Sequence, residues 1–268
     1  MKYTFGISSK RLLLLILAVV IALTSSFAQD SVATKPPAPP KNKWNFLAEV
    51  YLMFPNMSGK SGLGTLPEVD VDANPGDIFD KLQIAAMLYF EASNDRWAFS
   101  SDLIYMSLKQ DLKTGPIIQS GEASAKQFAW ELAGMRRLLP MVDAGIGLRL
   151  NSMKMGLDFV QNNVGGGTTN RSRSVTETWV DPFIVARLKS DPANKFIYQL
   201  RADIGGFGVG SSFAWQIQAY AGYRFSKLFQ ITGGYRVLGM DYDKGSGEDR
   251  FLYDMDIFGA VVRFGFNF

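Results

Sequence analysis

From Trp44 to the last residue, apolar and polar side chains alternate with a period of two. In WNFLAEVYLMF (44–54), Trp44, Phe46, Ala48, Val50, Leu52 and Phe54 fall on one face, and Asn45 and Glu49 on the other. The pattern recurs in VDAGIGLRL (142–150), where Val142, Ala144, Ile146, Leu148 and Leu150 oppose Asp143 and Arg149. It recurs in 196–203 and again in FAWQIQAYAGYRF (213–225), where Phe213, Trp215, Ile217, Ala219, Ala221, Tyr223 and Phe225 oppose Gln216, Gln218 and Arg224. Spacing at i, i+2, i+4 rather than i, i+3, i+4 is the signature of strands, whose side chains point to alternate faces.

Ten such segments can be read: 44–57, 82–93, 96–108, 124–138, 141–158, 175–189, 195–205, 212–226, 229–241 and 251–268. Their connections alternate in length. Tight turns fall at Ser93–Arg96, Pro140, Asp191–Asn194 and Ser226–Lys227, and longer links at 58–81, 109–123, 159–174, 206–211 and 242–250. Alternating short turns and long loops characterise transmembrane barrels, with short periplasmic turns and long outer loops. The expected fold is all-β: a transmembrane antiparallel up-and-down β-barrel of about 10 strands, with 8 or 12 as alternatives.

A soluble sandwich would also have one apolar and one polar face. Its apolar face would form a core, whereas a membrane barrel turns that face to lipid. Here the polar face carries Glu49, Asp102, Glu131, Asp143, Arg149, Asp181, Arg187, Arg201, Asp203, Arg224, Arg236 and Arg263. Acids and arginines so mixed suit an ion-pair network inside a lumen. Aromatics gather where short turns are expected: Trp44, Phe90, Trp97, Phe196, Phe225, Phe229 and Phe268. Membrane-interface girdles have that arrangement. The first and last strands are long and apolar, and would be sticky edges unless they bond to each other. One irregularity stands out. Counting back from Phe268, the lipid-facing phase includes Asp256 and Asp254, while Tyr253, Met255 and Ile257 fall inside. Either a bulge near Gly259 shifts the phase, or the strand before about 258 stands above the membrane.

The first 43 residues read differently. Lys2, Lys10 and Arg11 precede the uncharged run Leu12–Leu23, and Ser26-Phe27-Ala28 follows. This is the layout of a secretory signal peptide, over 1–28, with a mature start at Gln29. Residues 29–43 include TKPPAPPKNK, a Pro-rich linker expected in the periplasm. The barrel is then expected over 44–268. The chain has no cysteine and no histidine, and its net charge of +3 points to no nucleic acid.

At this point the residues resemble the small outer-membrane β-barrel proteins of Gram-negative bacteria, in an uncharacterised porin-like branch. The resemblance rests on the signal segment, on WVDPFIVARL (179–188), DIGGFGVGSSFAWQ (203–216), AGYRFS (221–226) and GGYRVLGMDYD (233–243), and on the terminal aromatic alternation. It implies residence in the bacterial outer membrane, with lipid and lipopolysaccharide around the barrel and both termini in the periplasm. It further implies that Val262, Phe264, Phe266 and Phe268 form the signal read by the outer-membrane insertion machinery.

The enzymes of this membrane rely on histidine, so no enzymatic activity and no catalytic residues are expected. A carboxylate pair among Asp102, Glu131, Asp143 and Asp181 is better matched to arginine pairing than to acid–base work. The glycine-rich GGFGVGSS (205–212) precedes no helix and lacks a nucleotide-binding context. Asp241, Asp243, Glu248 and Asp249 miss the spacing of a calcium loop, so no metal and no cofactor are expected. Arg171 and Arg173, in an outer loop, could attract lipopolysaccharide phosphates. Two function classes follow: a narrow porin-like channel for small solutes, or a non-conducting structural, adhesive or surface-recognition barrel.

Overall fold

The computed structural model describes residues 43–268, apart from 66, 117, 164, 165 and 192. The signal segment and nearly all of the Pro-rich linker lie outside the described residues. The strands are β1 (Asn45–Leu63), β2 (Val69–Ala73), β3 (Leu82–Ser93), β4 (Trp97–Asp111), β5 (Ile118–Leu139), β6 (Val142–Asn162), β7 (Thr168–Lys189), β8 (Phe196–Gly205), β9 (Phe213–Arg224), β10 (Phe229–Lys244) and β11 (Phe251–Asn267).

Ten of them form an antiparallel ring in the order β11-β10-β9-β8-β7-β6-β5-β4-β3-β1, closed by β1 pairing with β11. The seam runs from Leu47 opposite Asn267 to Leu63 opposite Phe251. At its foot, the Phe46 and Phe268 amides donate to each other's carbonyls at 2.9 and 3.0 Å. Closure pairs the first and last strands of the ring with each other, so neither is left as a sheet edge.

The ring has two unlike ends. Both described chain termini lie at the turn end, where tight connections join β3–β4, β5–β6, β7–β8 and β9–β10. The other is the loop end, and here the strands outrun their sequence-based spans. β1 continues to Leu63, and β5, β6 and β7 reach Ile118, Asn162 and Thr168. The link after β1 contains the extra strand β2, which pairs with Met57–Ser61, and the short helix α1 (Pro75–Phe79). Asn74 caps that helix in a reciprocal box with Asp77. β8 and β9 are by contrast short. Gly206 (φ 84), Phe207 (φ 51) and Gly208 (φ 74) turn the chain through the left-handed region directly after β8.

Alternation sorts the side chains by face. Val50, Ile146 and Leu148 are 54%, 68% and 54% exposed on the outer wall. Aromatics line an arc of the turn end: Trp97 stacks near Phe99 and Phe99 near Trp44, Phe90 near Phe46 and Phe46 near Phe268, and Phe266 near Phe229 and Phe229 near Phe225.

The suggested bulge near Gly259 does not occur. β11 keeps one register against β1 and β10 throughout. What changes is the pattern itself. From Phe268 down to Phe258 the outer face is apolar, and beyond it Asp256 and Asp254 are exposed outside while Ile257, Met255, Tyr253 and Phe251 are buried inside. Asp256 and Asp254 lie opposite Ser58 and Lys60 of β1. The outer face of the strand therefore passes from apolar to polar side chains without a break in geometry.

Candidate functional site

The bore is filled, and the inward residues of the strands fill it in layers. At the turn end, Asp143 on β6 accepts from Arg137 Nε at 3.0 Å and from Arg187 Nη2 at 2.7 Å. Arg187, on β7, also forks onto Glu91 of β3, and Lys189 Nζ reaches the same carboxylate at 3.1 Å. Beside them Arg263 pairs with Glu49 at 2.9 Å. Its guanidinium lies 4.1 Å from the Tyr220 ring centroid, 4.9 Å from Tyr51 and 5.0 Å from Tyr89, within cation–π range of all three. A cavity of about 120 Å³ opens at this end, lined in part by Glu49, Glu91, Lys189, Arg224 and Arg263.

The middle layer spans the bore. Glu131 on β5 accepts from Arg149 (2.8 Å), Arg201 (3.1 Å) and Arg236 (3.1 Å). Asp203 accepts from Arg149 at 2.7 Å and from Gln216 at 2.9 Å. Arg236 also donates to Asp102 at 3.0 Å and to Gln216 Oε1 at 2.6 Å, and Tyr51 donates to Asp102 at 2.5 Å. β5 and β10 lie five steps apart in a ring of ten strands, so the Glu131–Arg236 pair joins opposite walls. Arg149, Arg201 and Arg236 are only 1–2% exposed. Phe183 packs beneath Arg149 and Arg201, at 5.2 and 5.7 Å. Gly147 gives that ring room, since a Cβ there would collide with it.

Toward the loop end the filling turns apolar. Trp179 stacks on Tyr242 at 4.2 Å, and Phe251, Tyr253, Met255, Met240, Met153 and Met53 belong to the same cluster.

Of the twelve charges expected inside, ten lie in ion pairs with inward partners. Two do not. Asp181 takes neutral donors: the Ser211 amide at 2.6 Å, the Ser211 hydroxyl at 2.9 Å, Trp179 Nε1 at 3.1 Å and Asn151 Nδ2 at 3.3 Å. It thus fastens the β8–β9 loop to the inner wall rather than joining the arginines. Arg224 sits at the turn-end mouth and donates to Gln230 at 3.2 Å. Glu91, Arg137 and Lys189 belong to the network although they were not expected there. Strand parity would have found each: Glu91 is out of phase with Phe90, Arg137 in phase with Glu131, and Lys189 in phase with Arg187. Val262, Phe264, Phe266 and Phe268 all stand on the outer face, and Gly265 between them faces Glu49 and Gln230 inside.

No family profile matches this chain, and no curated protein matches it. Among solved structures, the chain is similar to the outer membrane protease OmpT from Escherichia coli, with 8% identity, TM-score 0.48, and coverage of 88% of this chain and 99% of that one. It is also similar to the attachment invasion locus protein Ail of Yersinia pestis, with 10% identity, TM-score 0.36, and coverage of 85% and 100%. A third similarity is to the toluene transporter TodX of P. putida, with 9% identity, TM-score 0.35, and coverage of 86% and 91%. At these values the role of this chain rests on its own geometry.

Proposed function

We propose that this protein is an integral outer-membrane barrel whose bore is closed and which works through its rim. The observation that carries the closed bore is the ion pair from Glu131 to Arg236 across opposite walls, with Asp102 and three further arginine contacts in the same layer.

Membrane residence is supported by the outer wall. On β11 the outward apolar positions run from Phe268 to Phe258. Ten strand steps of about 3.3 Å, tilted by roughly 40°, rise about 25 Å, the height of the apolar band of membrane barrels. The aromatic arc marks one interface, and Asp256 and Asp254 stand beyond the other. Short turns then lie in the periplasm with both chain ends, and the long strands of β5, β6 and β7 project outside. In this reading Val262, Phe264, Phe266 and Phe268 serve as the insertion signal, and lipopolysaccharide surrounds the outer half.

Barrels near this size have interiors that side chains can fill, whereas wide aqueous channels need about 16 strands or more. Single-channel recording of the refolded protein in planar bilayers tests the closed bore. The expected trace shows no steps above background. Reproducible ohmic steps would overturn the closed bore and restore the narrow porin-like channel.

A further inference from the structure

The outer rim carries an unusual edge. β7 pairs with β8 only from Phe183 to Lys189, because β8 ends at Gly205. The Gly206 amide closes that ladder on the Pro182 carbonyl at 3.0 Å. Pro182 has no N–H to offer, which suits the last rung. Above it β7 runs on to Thr168, paired with β6 on one side and with no strand on the other among the described residues.

Parity fixes which groups face the open side. The Pro182 carbonyl points toward β8, and the Lys189 amide points the other way, to Met141. Even-numbered residues of this unbroken strand therefore turn their N–H and C=O to the open side. Asn170, Ser172, Ser174, Thr176 and Thr178 present them there, and all five are exposed. Proteins usually blunt such an edge with proline, a bulge or a short strand. This one is long, keeps one register against β6, and has neither proline nor bulge between Thr168 and Val180; its charged residues are Arg171, Arg173 and Glu177. On the inner face Arg171 and Arg173 are exposed and form no ion pair among the described residues.

We propose that the β7 edge from Asn170 to Thr178 docks an extended segment of a partner protein as an added strand, with acidic side chains at alternate positions opposite Arg171 and Arg173. Backbone ladder bonds would supply affinity, and the two arginines would supply selectivity and register. A second copy in the same membrane cannot fill the site. A two-fold axis along the membrane normal leaves both β7 strands running the same way and crossing at about twice their tilt of roughly 40°, which forbids a ladder. This proposal deepens the reading of a barrel that works through its rim. The two can fail separately, because a conducting bore leaves the edge open and an edge without a partner leaves the bore closed.

The test uses the full refolded protein in detergent and the synthetic peptide TVEVEVT, followed by residue-resolved amide exchange. In the free protein, even-numbered amides from 170 to 178 should exchange fast while odd-numbered ones, bonded to β6, stay protected. The peptide should slow the even-numbered set at least about tenfold. Ser174→Pro removes one open-side N–H without touching the β6 ladder, and should weaken peptide binding at least about tenfold. Charge reversal at Arg171 and Arg173 to Glu should switch preference to TVKVKVT. Equal binding of TPEPEPT would reduce the site to a patch of charge and overturn the proposal. So would even-numbered amides already protected in the free protein, or protection by anionic lipid vesicles and not by the peptide.

Discussion

The turn-end and loop-end halves of the bore fill the same tube with opposite chemistry. In the turn-end half the outer wall is apolar and the inner space holds Glu131, Asp143 and their arginines. In the loop-end half the outer wall carries Asp254, Asp256 and Lys60, and the inner space holds Tyr242, Met255 and Tyr253. The backbone is continuous between them, so in the proposed membrane setting the difference lies in the solvent. Against hydrocarbon, polar side chains must turn inward and pair there, because an unpaired buried charge is costly. Against water, the same strand follows the rule of a soluble sheet, with its apolar face inside. In the proposed setting, the inversion near Phe258 thus marks where the outer solvent changes.

The comparison breaks most visibly at the ion lattice. Glu131→Ala leaves Arg149, Arg201 and Arg236 without their shared acceptor, and should cost about 3–5 kcal/mol in urea unfolding from micelles. A loss under about 1 kcal/mol would mean that the lattice is wet. The outer wall gives the next largest contrast. Leu148→Arg lies in the apolar belt and should cost about 2–4 kcal/mol in the bilayer. Asp256→Arg lies beyond it and should stay within about 0.5 kcal/mol. Equal costs would erase the proposed boundary.

One substitution made in both halves sharpens the contrast further. The Tyr51 hydroxyl donates to Asp102 and accepts from Arg236, so Tyr51→Phe should cost about 1–3 kcal/mol. The buried Tyr253 hydroxyl has no protein partner among the described residues, so Tyr253→Phe should change stability by less than about 1 kcal/mol.

The smallest effect belongs to the exposed rim, where Arg250 bridges Asp243 at 2.7 Å and Glu68 at 3.1 Å. The hydrogen bond from Arg250 holds the Asp243 carboxyl below its ordinary 3.8. A depressed carboxylate stabilises above its ordinary value, and its contribution fades as pH falls through its folded value. Proteolysis of the β10–β11 loop should quicken modestly below that range, and high salt should do the same at neutral pH. A rate unchanged by both would remove the pair from the account.

Much of this was legible in the alternation. Period two separates Val50 and Leu148 from Glu49 and Arg149 without any structure, and the paired aromatic edges imply a seam. The inversion in β11 was visible as misplaced aspartates, but alternation reports face, not solvent, so a bulge fitted equally well. The partner of each charge was not legible. Glu131 and Arg236 are 105 residues apart, and only the ring order places their strands opposite each other. Asp181 looked like one more lumen acid. Its donors come from the loop after β8 and from Trp179 and Asn151, which parity alone does not bring together.

The chain contains no cysteine, so single cysteines can be read one at a time. The most direct test places them along β11 at 254, 255, 256, 261, 262, 263 and 264 in protein reconstituted into vesicles, and adds a membrane-impermeant thiol reagent to both faces. A closed bore and a boundary near Phe258 require labelling at 254 and 256, and protection at 262 and 264 by lipid and at 255, 261 and 263 by the filled interior. Ready labelling at 261 and 263 would show a water-filled bore and contradict the account.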